Sequence, residues 1–447
     1  MIWLDGEYPA LTGMKRADVA IVGGGLTGLM LAASLTRHGV RVVVLEGGRV
    51  GCGASGICSG TASVQLGALY ERIESQAGLD AARHHADTLQ DLLRIVAARQ
   101  TALPEMQETS VYTFAFLPRD LPALEKQHAL AQRLGLPASF APDAGGCPFP
   151  VELSIMLRGQ WMLPVSTLLD ALSAQVVKQG GRIYEHSRVL ELTGRRVYTA
   201  SGGVEASAIV LATGMPIGLR KLALLSRLET RTLVSCHLSS LIPLHTCQQS
   251  VRPDGLSLRP VNGGAIAAWP LGRTGTKHQQ ARATLFDRIL QGRLPDWTVG
   301  ERRYAQDIWT ADGLPLIGVI PGHKGRLLCA TGYGGHGILG AMLAARVLTR
   351  RLLGQFAAED ALYQPDRPLR RQIQHQCIRR LVQIRTLNSL RRRAPACPHM
   401  GCRLRYSTAT LRWECPFCGS VFSMLGTRIS GPTLHSASLS ALQRPDL

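Results

Sequence analysis

The sequence predicts an α/β chain built on a parallel, nucleotide-binding sheet, followed by a β-rich region and a small metal-binding module. Three observations carry that prediction. A βαβ unit opens the chain with a glycine-rich loop between its first strand and its helix. Residues 225–304 alternate short β-like segments with Pro/Gly turns. Four of the eleven cysteines fall within 22 residues near the C-terminal end. Of 447 residues, 45% are hydrophobic and 18% charged. That balance excludes global disorder, and the length allows two or three domains with sizeable cores. No apolar run reaches the roughly 18–20 residues that a membrane span needs. The opening MIWLDGEYPALTG lacks a basic stretch ahead of an apolar core, so no signal peptide is expected and cytoplasmic residence is the default.

Each element has a local reason. Asp18-Val19-Ala20-Ile21-Val22 is an apolar, β-branched run with turn glycines behind it, hence a buried strand. A helical pattern follows over 26–38 and closes at Gly39, a C-cap residue type. Residues 41–45 form a second strand ending at Glu46, parallel to the first through a right-handed crossover. Residues 78–102 read as helix. The stretch 111–160 mixes short strands with a helix at 121–134, and 165–179 is an amphipathic helix followed by strand-like segments to Thr199. Buried strands are expected at 208–214 and 326–330, and a long helix at 337–353. Composition shifts at Pro365, where Arg becomes dense, and again at Pro395, where the cysteine cluster begins.

The loop Gly23-Gly24-Gly25-Leu26-Thr27-Gly28 has the G-x-G-x-x-G spacing. The first Gly allows the tight turn, Gly25 lets a pyrophosphate approach the backbone, and Gly28 lets the helix pack on the sheet. The helix start at Leu26 and Thr27 presents amide N–H groups and a positive dipole end to phosphate. Glu46, eighteen residues after Gly28, is placed to accept hydrogen bonds from ribose hydroxyls, which favours FAD or NAD over NADP.

Glu46-Gly-Gly-Arg-Val-Gly-Cys-Gly-Ala-Ser-Gly56 resembles the segment after the second strand in the D-amino-acid oxidase/glycine oxidase superfamily. Ile209-Val-Leu-Ala-Thr-Gly214 resembles its second flavin-binding strand. Thr310-Ala-Asp-Gly-Leu-Pro-Leu-Ile-Gly318 and Ala330-Thr-Gly-Tyr-Gly-Gly-His-Gly-Ile338 resemble its C-terminal flavin segment. The resemblance implies FAD as cofactor. It adds Arg49, Ser55, Val189 (beside the adenine), Ala212, Thr213, Gly214, Gly332, Gly335, Gly337 and Ile338 to the cofactor contacts. It further implies a Rossmann-like FAD-binding domain interleaved with an antiparallel-sheet substrate domain. The oxidoreductase would span 1–365, with FAD-binding segments at about 15–110, 161–224 and 305–365. The substrate-domain segments would lie at about 111–160 and 225–304.

Flavin enzymes of this kind take a hydride from a C–N or C–O carbon and depend on positioning more than on a strong base, so a small amine or hydroxy compound is the expected substrate. Arg302-Arg-Tyr-Ala-Gln-Asp307 resembles a segment of a subgroup fused to a Rieske domain. In that alignment Tyr304, Gln306 and Asp307 would face the ring, and no anion-binding Arg stands at the aligned point. Gln306, Asp307 and His336 are the candidate catalytic residues, His336 lying in the turn under the ring.

The cysteine module reads Cys397-Pro-His399-Met-Gly-Cys402, then, after twelve intervening residues, Cys415-Pro-Phe-Cys418-Gly-Ser, with Phe422, Gly426 and Gly431-Pro432 downstream. It resembles a small all-β Rieske module over 395–436, with Cys418 where the second His ligand would stand and Phe417 where a disulfide Cys is common. Three occupancies are open. Cys397, His399, Cys415 and Cys418 would hold a [2Fe–2S] cluster. Alternatively Cys397, Cys402, Cys415 and Cys418 would hold Zn²⁺ or a single iron, or the site has decayed. The net charge of +19 is concentrated late, with nine Arg and no acid over 367–393. Within an expected linker helix at 366–394, that stretch is either a solvated face or a grip for an acidic electron-transfer partner. No aromatic residue interleaves it to stack on bases, so nucleic acid is not the expected partner, nor is a membrane.

Overall fold

The structure is a computed structural model that describes residues 7–439 except 66, 104, 220–221, 242, 253–254, 324 and 371–393. Its first sheet runs, in spatial order, Leu316–Val319, Leu327–Thr331, Gly202–Leu211, Gly13–Val22, Val42–Leu45 and Arg182–Tyr184. The last five strands are parallel, and Leu316–Val319 joins them antiparallel. Val42–Leu45 is buried at every position, as expected for a parallel strand covered on both faces. The helices Leu26–Arg37 and Gly337–Leu352 lie side by side on this sheet, tied by a 2.9 Å hydrogen bond from Thr349 Oγ1 to Ser34 Oγ. The helix expected at 78–102 is present as Leu79–Ala97; a second helix, Ala68–Ala77, precedes it, and the two break at Gly78, whose φ of +102° no helix accommodates.

The second sheet follows the path Thr298–Thr310, Leu228–Ser239, Gly264–Arg273, Ser257–Val261, Cys247–Ser250, Gln107–Ala115, Leu153–Met162 and Thr61–Ala62. Its pairs are antiparallel apart from Cys247–Ser250 against Gln107–Ala115. Thr61–Ala62 and residues 305–310 thus join this sheet, although they fall in segments expected in the FAD-binding layer. The helix Gln279–Arg293 lies where only β-like segments were expected. It buries Gln279, Phe286 and Leu290 alone, too sparse an apolar stripe to read as a helical period.

Residues 405–430 form a four-stranded antiparallel meander: Arg405–Ser407, Arg412–Glu414, Val421–Phe422 and Arg428–Ser430. It has no core of its own. Leu404, Trp413, Phe417 and Phe422 share one apolar cluster with Met215, Ile217, Leu219 and Ile308 of the larger body. Arg273 Nη2 donates to Pro416 O (2.8 Å), Gly275 N to Glu414 Oε2 (2.7 Å) and Gly218 N to Pro432 O (2.8 Å).

Of the Arg-rich stretch, Arg367 is described and is not a solvated residue. Its guanidinium is buried, 2.7 Å from both Asp312 oxygens, and donates to Leu314 O and Pro315 O. Residues 371–393 of the expected linker helix lie outside the described residues. Among the described residues no helix is long and apolar enough to cross a membrane.

Candidate functional site

The glycine-rich loop closes on itself through contacts that only glycine permits. Gly23 has φ +113°, and a Cβ there would sit 2.5 Å from Ala212 O. A Cβ on Gly28 would sit 1.9 Å from Gly23 O. The helix Leu26–Arg37 begins at Gly25 with no side-chain cap, and Leu26 N donates to Ser55 Oγ at 3.0 Å. Glu46 spans the loop, Oε2 accepting from Gly24 N (2.7 Å) and Oε1 from Gly48 N (2.8 Å). Ala212 abuts Gly23, while Thr213 Oγ1 bonds Met215 O at 2.8 Å and Gly214 turns the chain with φ +70°. Val189 is buried in the cluster under the sheet, and Arg49 pairs with Glu7.

The late glycine turn meets the first loop directly. Thr27 Oγ1 lies 3.0 Å from the Tyr333 hydroxyl, 306 residues on, and burial pushes the Tyr333 phenol up. Gly332 packs on Thr310, where a Cβ would be 2.4 Å from Cγ2. Gly337 and Ile338 open the long helix. His336 stands before it, its backbone N donating to Tyr333 O and its O accepting from Gly340 N. The donors here suit a nucleotide: the helix start at Leu26 and Thr27, the Ser55 hydroxyl bonded to Leu26 N, Glu46 at the loop, and a tight backbone turn that a Cβ at Gly23 or Gly28 would push apart.

The strands Leu228–Ser239 and Thr298–Thr310 stand between this turn and the cysteine module. Their register sets Arg231 opposite Asp307 and Glu229 opposite Trp309 on one face, and Thr232 opposite Gln306 on the other. On the first face, the Asp307 carboxylate lies beside Gly335, where a Cβ would be 3.8 Å from Oδ2. Burial pushes the Asp307 carboxyl up to about 6, against the pull of Gly335 N–H and Arg231. Arg231 Nε lies 2.8 Å from Glu229 Oε1. The guanidinium carbons of Arg231 and Arg72 sit 4.1 and 5.2 Å from the Trp309 ring centroid. Burial, and then the charge of Arg231, lower the Arg72 pKa. Sequence reasoning missed Arg72, Arg231 and Trp309. Cross-strand register brings Arg231 to Asp307 and tertiary packing of the helix Ala68–Ala77 brings Arg72 to Trp309, which itself follows Asp307 by two residues on one strand.

The expectation that Gln306 faces the ring is corrected. Strand alternation turns it away from Asp307: its Nε2 donates to Gly419 O at 2.7 Å and its Oε1 accepts from Ser430 Oγ at 2.6 Å. Tyr304 lies on that same face of the strand and packs on the substrate-sheet core.

In the module, the sulfurs of Cys397, Cys415 and Cys418 lie within 4.8 Å of one another, all buried, with Cys397 and Cys418 3.8 Å apart. Sulfur hydrogen bonds from Cys415 and Cys418 pull Cys397 down to about 3, and burial pushes Cys415 and Cys418 up. His399 is not within that 4.8 Å group. Its Nε2 lies 2.6 Å from Leu219 O, an acceptor only, so Nε2 carries the proton and Nδ1 keeps its lone pair. Nδ1 is buried and has no hydrogen-bond partner. Ligating histidines commonly donate their other N–H to a backbone carbonyl. The Cys402 sulfur contacts that of Cys415. Soft thiolates with an orphaned imidazole nitrogen fit iron–sulfur chemistry or zinc.

Comparison with known proteins places these features in context. Residues 18–351 match the family described as FAD dependent oxidoreductase. A protein of Bacillus subtilis (strain 168) named as a Rieske 2Fe-2S iron-sulfur protein, YhfW, is 23% identical over 96% of this chain and 94% of its own length. Gamma-glutamylputrescine oxidoreductase of Escherichia coli (strain K12) is 27% identical over 79% of this chain and 88% of its own. Among solved structures, glycine oxidase from Geobacillus kaustophilus superposes with a TM-score of 0.61 at 19% identity, covering 79% of this chain and 99% of that one.

Proposed function

The chain belongs to the FAD-dependent oxidoreductase family, and from that premise we propose that it oxidises a small amine and passes the electrons to a [2Fe–2S] cluster held by Cys397, His399, Cys415 and Cys418. A single observation carries this. One pair of strands presents Asp307 to the flavin turn on one face and Gln306 to the cysteine knuckle on the other. The full-length similarity to the Bacillus subtilis protein named for a Rieske centre supports it, as does the name of the Escherichia coli relative for an amine.

When bound, FAD supplies the hydride acceptor and the cluster supplies one-electron carriage. The chain's own residues do the rest. Gly23, Gly25, Leu26, Thr27, Gly28 and Ser55 hold the pyrophosphate, and Glu46 holds a ribose. Gly332, Gly335 and the start of the Gly337–Leu352 helix receive the ring. A carboxyl that titrates near 6 is mostly ionised at neutral pH, so Asp307 attracts an ammonium group and takes its proton before the C–H bond breaks. A hydroxy compound would lose its proton to the same group. Arg72, Arg231 and Trp309 wall the site and exclude water. His336, at the helix start, is the second candidate for proton transfer. The Arg-rich stretch would guide an acidic electron-transfer partner to the module.

The deciding experiment is a UV–visible spectrum of the purified protein with counts of iron, sulfide and zinc, followed by EPR after anaerobic reduction. Flavin bands, two irons and two sulfides, and an S = ½ signal are expected. Iron and sulfide without such a signal would end the electron-transfer reading. The contact between the Cys402 and Cys415 sulfurs favours a second reading, a structural zinc held by Cys397, Cys402, Cys415 and Cys418. One zinc with negligible iron would establish it.

A further inference from the structure

Building on that function, we propose that Gln306 is the positioning residue that couples the thiolate centre to the flavin side of the partition. Its side-chain amide is the bridge that an electron crosses. The Asp307 carboxylate lies beside Gly335, where a Cβ would be 3.8 Å from Oδ2. One peptide unit away on the same strand, the Gln306 amide donates to Gly419 O at 2.7 Å. Gly419 is covalently joined to Cys418, and its own N–H donates to Cys415 O at 3.0 Å. The route from Gln306, next to Asp307 on the strand, to Cys415 and Cys418 therefore runs along covalent bonds and hydrogen bonds.

The bridge is held in one orientation. Ser430 donates to Gln306 Oε1 at 2.6 Å and Nε2 also reaches Thr274 Oγ1 at 3.4 Å; a flipped amide would set Oε1 against the Gly419 carbonyl, acceptor to acceptor. Gly419 is seated flush on the strands: its φ is +71°, and a Cβ would lie 2.3 Å from Thr230 Oγ1. A second connection exists at His399 Nε2 and Leu219 O (2.6 Å), but it leads to the turn after Gly202–Leu211 rather than to the glycine turn that receives the ring. In each passage one electron leaves the reduced flavin and one arrives at the centre. The pair taken from substrate therefore leaves in two passages, its protons go to water, and a one-electron acceptor in solution re-oxidises the centre after each.

The test uses the full-length holoprotein under anaerobic conditions. Flash photoreduction with 5-deazariboflavin and EDTA delivers one electron to the flavin, and its arrival is followed in the visible bands of the centre. Gln306→Met keeps length and flexibility but removes both hydrogen bonds. It is expected to slow transfer about tenfold while flavin content, iron and sulfide counts and both midpoint potentials stay at wild-type values. Ser430→Ala leaves the bond to Gly419 but frees the amide to rotate, and should slow transfer about threefold. Wild-type transfer in Gln306→Met with an intact centre overturns the proposal alone. If that variant loses iron, an unchanged rate in Ser430→Ala overturns it instead. A wild-type centre that never accepts the electron overturns the electron-transfer function, and this inference with it.

Discussion

The glycine cradle and the cysteine cluster, each suited to keep a charged group away from water, are built from opposite materials. The cradle is backbone: amides at a helix start, made accessible because Gly23, Gly25 and Gly28 carry no side chains. The cluster is side chain: the sulfurs of Cys397, Cys415 and Cys418, on a module too small to bury a core. A backbone site is broken by adding atoms, and a side-chain site by removing them. The two should therefore fail independently, and that can be tested.

The largest effect is expected from Gly28→Val. Its Cβ would fall 1.9 Å from Gly23 O, so the loop cannot keep its course. The purified variant should be colourless in the flavin bands yet keep its metal. Loss of both together would break the comparison. Next is Asp307→Asn, which should slow anaerobic flavin reduction by substrate about 10²-fold, the usual worth of a positioned acid–base group. Because the Asp307 carboxyl is raised to about 6, its base form is lost as pH falls through that value. The wild-type rate should fall there, and the acid limb should vanish in the variant. The stability sign is the reverse. Between about 4 and 6 the folded chain holds this proton more tightly than the unfolded chain does, so this group's contribution to stability declines as pH rises across that window. The smallest functional effect is expected from Arg367→Met, which should leave flavin and metal in place. It strands the buried Asp312 carboxylate, at a cost of about 3–5 kcal/mol read as a lowered Tm.

The same contrast explains what could be read from the chain. The cradle was legible because G-x-G-x-x-G, Glu46 and the later glycine turns are fixed by spacing, and the cysteine cluster because ligands recur at short intervals. The strand pair between them was not. Arg231 meets Asp307, and Arg72 meets Trp309, through register and tertiary packing across 76 to 237 residues of sequence. Gln306 was misassigned because adjacent strand residues point oppositely, and a motif match does not say which of two neighbours faces the cofactor. The Gln279–Arg293 helix hid behind a surface nearly free of apolar periodicity.

The apolar cluster that joins Trp413, Phe417 and Phe422 to Met215, Ile217 and Ile308 means that the cysteine-bearing piece is not a portable cassette. Cut free, it would expose the faces that those partners cover, along with the carbonyl-bound His399. Grafted onto another enzyme, it would need the 215–219 turn and the strand ending at Thr310 to travel with it. The two parts of the chain share one hydrophobic interior, so a change in size on either face must be matched on the other.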